Sequence, residues 1–155
     1  MTKNLIIPVA GKSSRYPGMR PKWLLTMPDG KLMIEKSVAL FDLKKFDRVI
    51  IIALTEHVKK FTSRQTLLKL FKKNISKKVE LIELNKETSC QAETVLNGIL
   101  KAKLKGGIFI KDVDNIFSQK IIKKPINQIS TINSKKIDLL DAKSKSYVDF
   151  DKMGK

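Results

Sequence analysis

Near its amino terminus the chain reads Asn4-Leu5-Ile6-Ile7-Pro8-Val9-Ala10-Gly11-Lys12-Ser13-Ser14-Arg15. A short apolar run with two adjacent isoleucines passes directly into small and turn-forming residues, which is typical of a buried strand that enters a loop. The loop, residues 10–22, offers backbone amides that an anion can approach and serine hydroxyls as further donors. It also carries three cations from Arg15 to Lys22. The stretch therefore predicts a strand followed by an anion-binding loop.

Apolar runs and helical periodicities alternate along the next hundred residues. Strands are predicted at residues 4–9, 48–54, 79–84 and 108–110, and helices at residues 31–43, 56–71 and 92–104, the second broken near Thr62-Ser63. Strand and helix in alternation favour right-handed βαβ units. We therefore expect an α/β fold, a three-layer sandwich with a mostly parallel sheet, whose ligands bind outside the carboxyl ends of the strands. After Phe117 only weak signals remain, at residues 121–132 and 146–150.

Two carboxylates, Asp112 and Asp114, follow the last predicted strand. Spaced one residue apart in a chain that is leaving a strand, they can point to one side and hold Mg²⁺ or Mn²⁺ against phosphate oxygens. A solvated Asp-Asn turn is the other interpretation of the same residues. The anion-binding loop and this carboxylate pair both lie at carboxyl ends of strands in one predicted sheet, which favours a shared site.

The composition is strongly basic, with a formal net charge of +17 over 155 residues. Lysine supplies all but four of the 32 basic residues, whereas proteins that read bases and phosphates favour the forked arginine guanidinium. Solvated lysine faces are therefore favoured over a nucleic-acid interface. The single cysteine, Cys90, cannot form an internal disulfide, and the apolar run at residues 5–10 is too short for a membrane span. We expect a cytoplasmic protein that does not insert into membranes.

The order of these residues resembles the signature of the nucleotidyltransferase family, the sugar-phosphate nucleotidylyltransferases and cytidylyltransferase-like enzymes of glycosyltransferase-A-type fold. That signature is a strand, Ala-Gly-x-Gly-x-Arg, a short spacer and Pro-Lys, matched here by Ala10, Gly11, Arg15, Pro21 and Lys22. The metal aspartate of the family, after a hydrophobic strand, matches Asp114 with Asp112 nearby, and its base-contacting segment is similar to residues 88–95. The resemblance covers residues 4–117.

The resemblance implies a Rossmann-like nucleotide-binding half of a nucleotidyltransferase domain and assigns roles to particular residues. Lys22 and Arg15 would be catalytic, and Asp112 and Asp114 would hold Mg²⁺ or Mn²⁺. The implied substrates are a nucleoside triphosphate, CTP or UTP before the purine nucleotides, and a phosphorylated sugar or small phospho-alcohol used for capsule or lipopolysaccharide precursors. The implied nucleotide-binding residues are Ala10, Gly11, Lys12, Ser13, Ser14, Arg15, Lys22, Ser89 and Gln91.

Several positions depart from the family pattern or have two interpretations. Ser13 stands where the family usually has a second glycine, and Cys90 stands where a glycine often lies beside the base. Gln91 can hydrogen-bond a pyrimidine edge or serve as an ordinary polar residue at a helix amino terminus. Trp23 begins an apolar run and is predicted to be a core residue, and His57 is predicted to have a surface role.

The chain is predicted to be a single domain, with a nucleotide-binding part at residues 1–117 and the start of an acceptor-binding part at residues 118–155. Family members generally continue beyond the second part, so the resemblance implies an incomplete acceptor pocket unless a partner chain, such as a homo-oligomer, completes it. The leading hypothesis is nucleotidyl transfer with release of pyrophosphate. The alternatives are an inactive nucleotide-binding fragment and a basic nucleic-acid-binding protein.

Overall fold

Strands and α-helices alternate through residues 1–12 and 18–116, the residues that this computed structural model describes. The strands are β1 (Lys3–Val9), β2 (Arg48–Leu54), β3 (Val79–Leu84) and β4 (Gly107–Ile110). The helices are α1 (Met33–Val38), α2 (Thr55–Phe61), α3 (Arg64–Asn74) and α4 (Gln91–Ala102). Every predicted strand is present, and each agrees with its prediction to within one residue.

The strands form one sheet in the order β3-β2-β1-β4, and every neighbouring pair is parallel. The register places Ile6 of β1 opposite Ile50 of β2 on one side and opposite Ile110 of β4 on the other. The runs of Val and Ile that mark β1 and β2 in the sequence are buried along almost their full length, as expected of strands covered on both faces. The parallel sheet is confirmed.

Each face of the sheet has its own hydrophobic core, because alternate residues of a strand point to opposite sides. On one face, residues such as Leu5 and Ile51 pack with buried side chains of α1, α2 and α3. On the other face, Ile6, Ile50 and Ile52 pack with Val95 of α4. Helices therefore cover both faces, which is the predicted three-layer α/β arrangement.

The first helix is shorter than predicted, since α1 spans Met33–Val38 whereas the periodicity indicated residues 31–43. The chain leaves the helix at Ala39, and Phe41 turns into the core, where its ring packs edge-on against Phe109 of β4 at a centroid distance of 5.7 Å. Packing against a distant strand thus decides where this helix ends.

The other helices follow the sequence signals closely. The predicted break near Thr62-Ser63 is confirmed, and Ser63 caps α3 by accepting a hydrogen bond from the backbone N–H of Thr66 at 3.1 Å. Helix α4 ends at Ala102, two residues before its predicted end, because Lys103 takes the left-handed conformation with φ 48°.

Polar side chains join the strands at their amino ends. Arg48 of β2 forms a bidentate ion pair with Glu80 of β3, at 2.6 and 2.8 Å, and also donates to the carbonyl of Ala102. The buried Asn4 donates to the carbonyl of Gly107 at 3.1 Å, which ties β4 to β1. These contacts lie at the end of the sheet opposite to the predicted ligand site.

The tail signals at residues 121–132 and 146–150 lie outside the described residues. Within residues 1–12 and 18–116, no helix combines the length and apolar character needed to cross a membrane.

Candidate functional site

The strand order places a topological switch point between β1 and β4. From β1 the chain moves outward to β2 and then β3, and it returns to the opposite side of β1 to form β4. In parallel α/β sheets, ligands bind in the crevice that such a reversal opens at the carboxyl ends of the strands. The loop at residues 10–22 follows β1 at this point, and the loop at residues 111–115 follows β4.

A proline lies in β1 just beyond the point where its pairing with β4 ends. The ladder between β1 and β4 ends at Ile6 and Ile110, after which the backbone N–H of Lys111 donates to the carbonyl of Ile6 at 2.9 Å. Pro8 has the same parity along β1 as Ile6, so its missing N–H faces the side where β4 has already ended. The chain therefore carries a residue that cannot extend the ladder where the crevice begins.

The loop after β1 and the loop after β4 meet through Lys22 and Asp114. The Nζ atom of Lys22 donates to Oδ2 of Asp114 at 2.8 Å, and about half of each side chain is exposed. Lys22 begins a 3₁₀ turn, Lys22–Leu24, in which the buried Trp23 and Leu24 anchor the backbone. The structure thus brings together two residues that the sequence analysis assigned to one site.

The first part of the predicted anion-binding loop is open to solvent. No described atom lies within 4 Å of the position that a Cβ atom on Gly11 would occupy, so a ligand can approach this backbone. The Nζ atom of Lys12 lies 2.5 Å from Oε2 of Glu87, in the loop after β3, and this hydrogen bond raises the pKa of Lys12. Ala10 is buried at the carboxyl end of β1. The predicted site residues Ser13, Ser14 and Arg15 lie outside the described residues.

The amino terminus of α4 contributes a second contact to the carboxylate loop. Gln91, the first residue of α4, donates from Nε2 to Oδ1 of Asp112. Ser89 is held beside it, because its backbone N–H and its hydroxyl both donate to Oε2 of Glu93 at 2.7 Å. Gln91 therefore lies close to the predicted metal site, and its predicted contact with a pyrimidine base stays a prediction.

Lys111 is a site residue that the sequence analysis missed. Its side chain is 1% exposed, and its ammonium donates to the carbonyls of Asp112 at 2.6 Å and Asn115 at 2.7 Å and to Oδ1 of Asn115. Burial lowers the pKa of Lys111, while the charges of Asp112 and Asp114 oppose that shift. A lysine at the end of a strand normally keeps its ammonium group in water. Nothing in the local sequence therefore distinguishes Lys111 from the exposed lysines.

The donor set at the end of β4 is compatible with Mg²⁺. Within residues 1–12 and 18–116, no three His, Cys, Asp or Glu side chains converge into a complete ligand set for a metal. Mg²⁺ is commonly held by one or two carboxylates together with waters and substrate phosphates, rather than by a full protein cage. The exposed carboxylates of Asp112 and Asp114 supply that number of protein ligands.

Three other residues singled out in the sequence have definite positions. Trp23 is a core residue, as predicted, and its ring lies 6.2 Å from that of Phe71. His57 is half-buried rather than on the surface, and burial lowers its pKa. Cys90 is exposed before α4, and hydrogen bonds from the backbone N–H of Glu93 and from Ser89 lower the pKa of its thiol.

A separate groove, with a volume of about 730 Å³, lies beside α1 and the end of α3. None of the predicted site residues lines it. Its Glu35 is already engaged by the amide of Asn74 at 2.8 Å and by the backbone N–H of Leu32 at 3.0 Å. The crevice between β1 and β4 is therefore the better candidate for a functional site.

The geometry defines a class of domain, an α/β sandwich with polar side chains gathered at the switch point of its parallel sheet. Among solved structures the chain is similar to the nucleoside-diphosphate-sugar pyrophosphorylase from Vibrio cholerae RC9, with a TM-score of 0.62 and 24% identity. The alignment covers 76% of this chain and 50% of that chain, so this chain matches about half the length of that protein. The likeness shows that the described residues have the fold found in a nucleoside-diphosphate-sugar pyrophosphorylase.

Two further solved structures are similar at lower TM-scores. The UTP-bound UGPase from Acinetobacter baumannii aligns with a TM-score of 0.45 and 15% identity, over 66% of this chain and 42% of that one. Rv0371c from Mycobacterium tuberculosis H37Rv aligns with a TM-score of 0.42 and 15% identity, over 73% of this chain and 52% of that one. The sequence matches no protein-family profile and has no significant match among curated proteins.

Proposed function

We propose that the crevice between β1 and β4 binds a nucleoside triphosphate with Mg²⁺ and serves nucleotidyl transfer to a phosphorylated small molecule. The observation that carries the proposal is the 2.8 Å contact between Lys22 and Asp114. It joins a cation from the loop after β1 to a carboxylate from the loop after β4, at the switch point where α/β sheets bind ligands. A triphosphate with its metal needs both kinds of group at one place.

The proposed chemistry assigns one task to each group of residues. The acceptor's phosphate oxygen forms a bond to the α-phosphorus while the bond from that phosphorus to the pyrophosphate oxygen breaks, and pyrophosphate leaves. Negative charge grows on the α-phosphate oxygens, and the ammonium of Lys22 stabilises this charge more in the transition state than in the ground state. Bound Mg²⁺, held by Asp112 and Asp114, would neutralise further charge on the phosphates.

The open backbone at Gly11 and the cation of Lys12 lie at the start of the loop that would cradle the remaining phosphates. Arg15, Ser13 and Ser14 continue that loop in sequence and are assigned to the triphosphate by the resemblance. We propose CTP or UTP as the nucleotide and a phosphorylated sugar or phospho-alcohol as the acceptor. A pathway that makes capsule or lipopolysaccharide precursors would use such a product.

The experiment is a calorimetric titration with CTP, UTP, ATP and GTP, each in Mg²⁺ and in EDTA. We expect tight binding of at least one pyrimidine triphosphate in Mg²⁺ and a loss of about tenfold or more in EDTA, since a metal–carboxylate bridge is then missing. Asp114→Asn should weaken the Mg²⁺-dependent affinity more than Asp112→Asn does. Asp42→Asn, which removes an exposed carboxylate paired with Lys45, is the matched control and should leave the affinity unchanged.

Equal affinity in Mg²⁺ and EDTA would contradict the proposed metal site. Binding of nucleic acid that needs no nucleoside triphosphate and weakens steeply with salt would instead favour the nucleic-acid alternative. Pyrophosphate release in the presence of a phosphorylated acceptor then tests turnover directly. Tight Mg²⁺-dependent binding without any release would favour the inactive nucleotide-binding fragment.

A further inference from the structure

The buried lysine at the end of β4 is the most unusual charged residue among residues 1–12 and 18–116. Lys111 is the one buried lysine in that part of the chain. Lysine is almost never fully buried, because removing an ammonium from water is costly unless its donors are satisfied. A buried lysine directly before two predicted metal ligands therefore calls for a reason beyond packing.

The contacts of Lys111 close a short loop around its ammonium. Its backbone N–H continues the ladder by donating to Ile6, while its side chain turns back to the carbonyls of Asp112 and Asn115 and to Oδ1 of Asn115. An ammonium has three N–H donors, and each of these acceptors can take one of them. The ring of Phe41 lies 5.8 Å from Nζ on the inner side. The loop at residues 112–115 is thus held from within by a cation.

The geometry points to Lys111 as a positioning residue that holds the backbone of residues 112–115 so that Asp112 reaches Gln91 and Asp114 reaches Lys22. This inference rests on the proposed function, since the loop it holds is the proposed metal-binding loop. Lys111 contacts the backbone beside the carboxylates, and it acts on the divalent cation and the triphosphate through them. The ligand concerned is a divalent cation that carries a triphosphate.

A positioning role and an ordinary core role predict different loop order for Lys111→Met. If Lys111 only filled the core, the methionine would fill the space of the apolar lysine stem and leave the order of the loop unchanged. If Lys111 holds the loop, the methionine leaves the carbonyls of the exposed Asp112 and Asn115 without their ammonium donor, and these carbonyls turn to water. A positioning role therefore predicts a looser loop, whatever the change in melting temperature.

The experiment compares wild type with Lys111→Met and with Lys59→Met, an exposed lysine of α2 that matches the change in net charge. Backbone order parameters from ¹⁵N relaxation are measured without ligand, together with the melting temperature. We expect the order parameters of Val113 and Asp114 to fall from about 0.85 to below about 0.6 in Lys111→Met alone. The Mn²⁺ concentration that half-saturates binding of the triphosphate should rise at least tenfold in the same variant.

Unchanged order parameters in a folded Lys111→Met protein would overturn the inference. If that variant does not fold, Asn115→Ala takes its place, because it removes one acceptor at an exposed position, and Asn115→Asp, which keeps an oxygen acceptor, should restore the order of the loop. An Asn115→Ala protein with wild-type loop order would equally overturn it. If wild type binds no triphosphate, the proposed function fails, while the ligand-free order parameters still decide the role of Lys111.

Discussion

The two ends of the sheet use charged residues in different ways. At the amino end, Arg48 makes a bidentate pair with Glu80 and also reaches a helix carbonyl, and Asn4 is fully buried with two carbonyl partners. At the carboxyl end, Lys22 and Asp114 join two loops through an ion pair in which about half of each side chain is exposed. The contacts of Arg48 and Asn4 hold these side chains in place. The contact between Lys22 and Asp114, in contrast, can be opened by a ligand of higher charge.

This difference separates residues that hold the fold from residues that hold the proposed ligand. Contacts at the amino end join regular elements that are already in register, so they add stability to the sheet. Contacts at the carboxyl end join loops whose own backbone is not part of the ladder. We therefore expect substitutions at the amino end to change the free energy of unfolding. Substitutions at the carboxyl end should change the affinity for the triphosphate.

The largest effect is expected for Gly106→Ala, at the amino end just before β4. Gly106 has φ +95°, and an added Cβ atom would lie 2.3 Å from the carbonyl oxygen of Thr2. Backbone strain and the collision should together cost on the order of 3 kcal/mol, or roughly 6–12 °C in melting temperature. Gly30→Ala is the matched control, since its φ is +79° and no described atom lies within 4 Å of the added Cβ.

Thermal unfolding measures both glycine variants, and triphosphate affinity is measured well below each melting temperature. Gly106→Ala should bind as wild type does while folded, and Gly30→Ala should lose clearly less stability. A Gly106→Ala protein with wild-type stability but weakened binding would reverse the proposed division between the two ends.

A smaller effect, in affinity alone, is expected for Lys22→Ala. A charged hydrogen bond to a phosphate of this kind corresponds to about 10- to 100-fold in affinity or turnover. The melting temperature should stay within about 2 °C, because an exposed ion pair adds little stability. Lys36→Ala is the control, since it removes a 2.8 Å pair with Asp29 away from the crevice. Equal triphosphate affinities for the two variants would remove Lys22 from the site.

The smallest effect is expected for Arg48→Met, which removes the bidentate pair with Glu80. Both side chains are partly exposed, so solvent screening limits the loss to about 1 kcal/mol, or about 2–4 °C in melting temperature at neutral pH. The single-contact variant Arg64→Met should lose less. Triphosphate affinity should be unchanged in both.

The pH dependence of the same pair gives a second check. Arg48 lowers the pKa of Glu80 below its ordinary value of 4.5. A depressed carboxyl pKa contributes stability that is present above the unfolded value and is lost as the pH falls through the folded value. The difference in melting temperature between wild type and Arg48→Met should therefore shrink below about pH 4.5 and stay constant above it.

The parts of the fold that the sequence predicted well are those that local patterns determine. The Val and Ile runs of β1 and β2 are read directly as buried strands, and the predicted break near Thr62-Ser63 separates α2 from α3. The end of α1 was predicted wrongly because Phe41 leaves the helix to pack against Phe109, a partner that lies far along the chain. Periodicity carries no information about such a contact.

The candidate site shows the same limit. That Lys22 and Asp114 share a crevice could be predicted, since both follow strands of one parallel sheet. The burial of Lys111 could not, because it depends on Phe41 and on the loop closing over the ammonium. The contact between Gln91 and Asp112 likewise depends on how α4 sits on the sheet. The roles of Ser13, Ser14 and Arg15 stay predictions.

The parallel order β3-β2-β1-β4 also means that the crevice forms only when β4 has docked beside β1. Lys22 and Asp114 are 92 residues apart, so their meeting requires the closure of a long chain segment, and non-local parallel pairing of this kind is slow. During synthesis, β1, β2 and β3 leave the ribosome before β4, so a nascent chain of that length lacks the strand that completes the crevice. A ligand that binds only the completed crevice would favour docking of β4 by mass action. Nucleotide binding would then report the docking of β4 as well as the first step of the proposed chemistry.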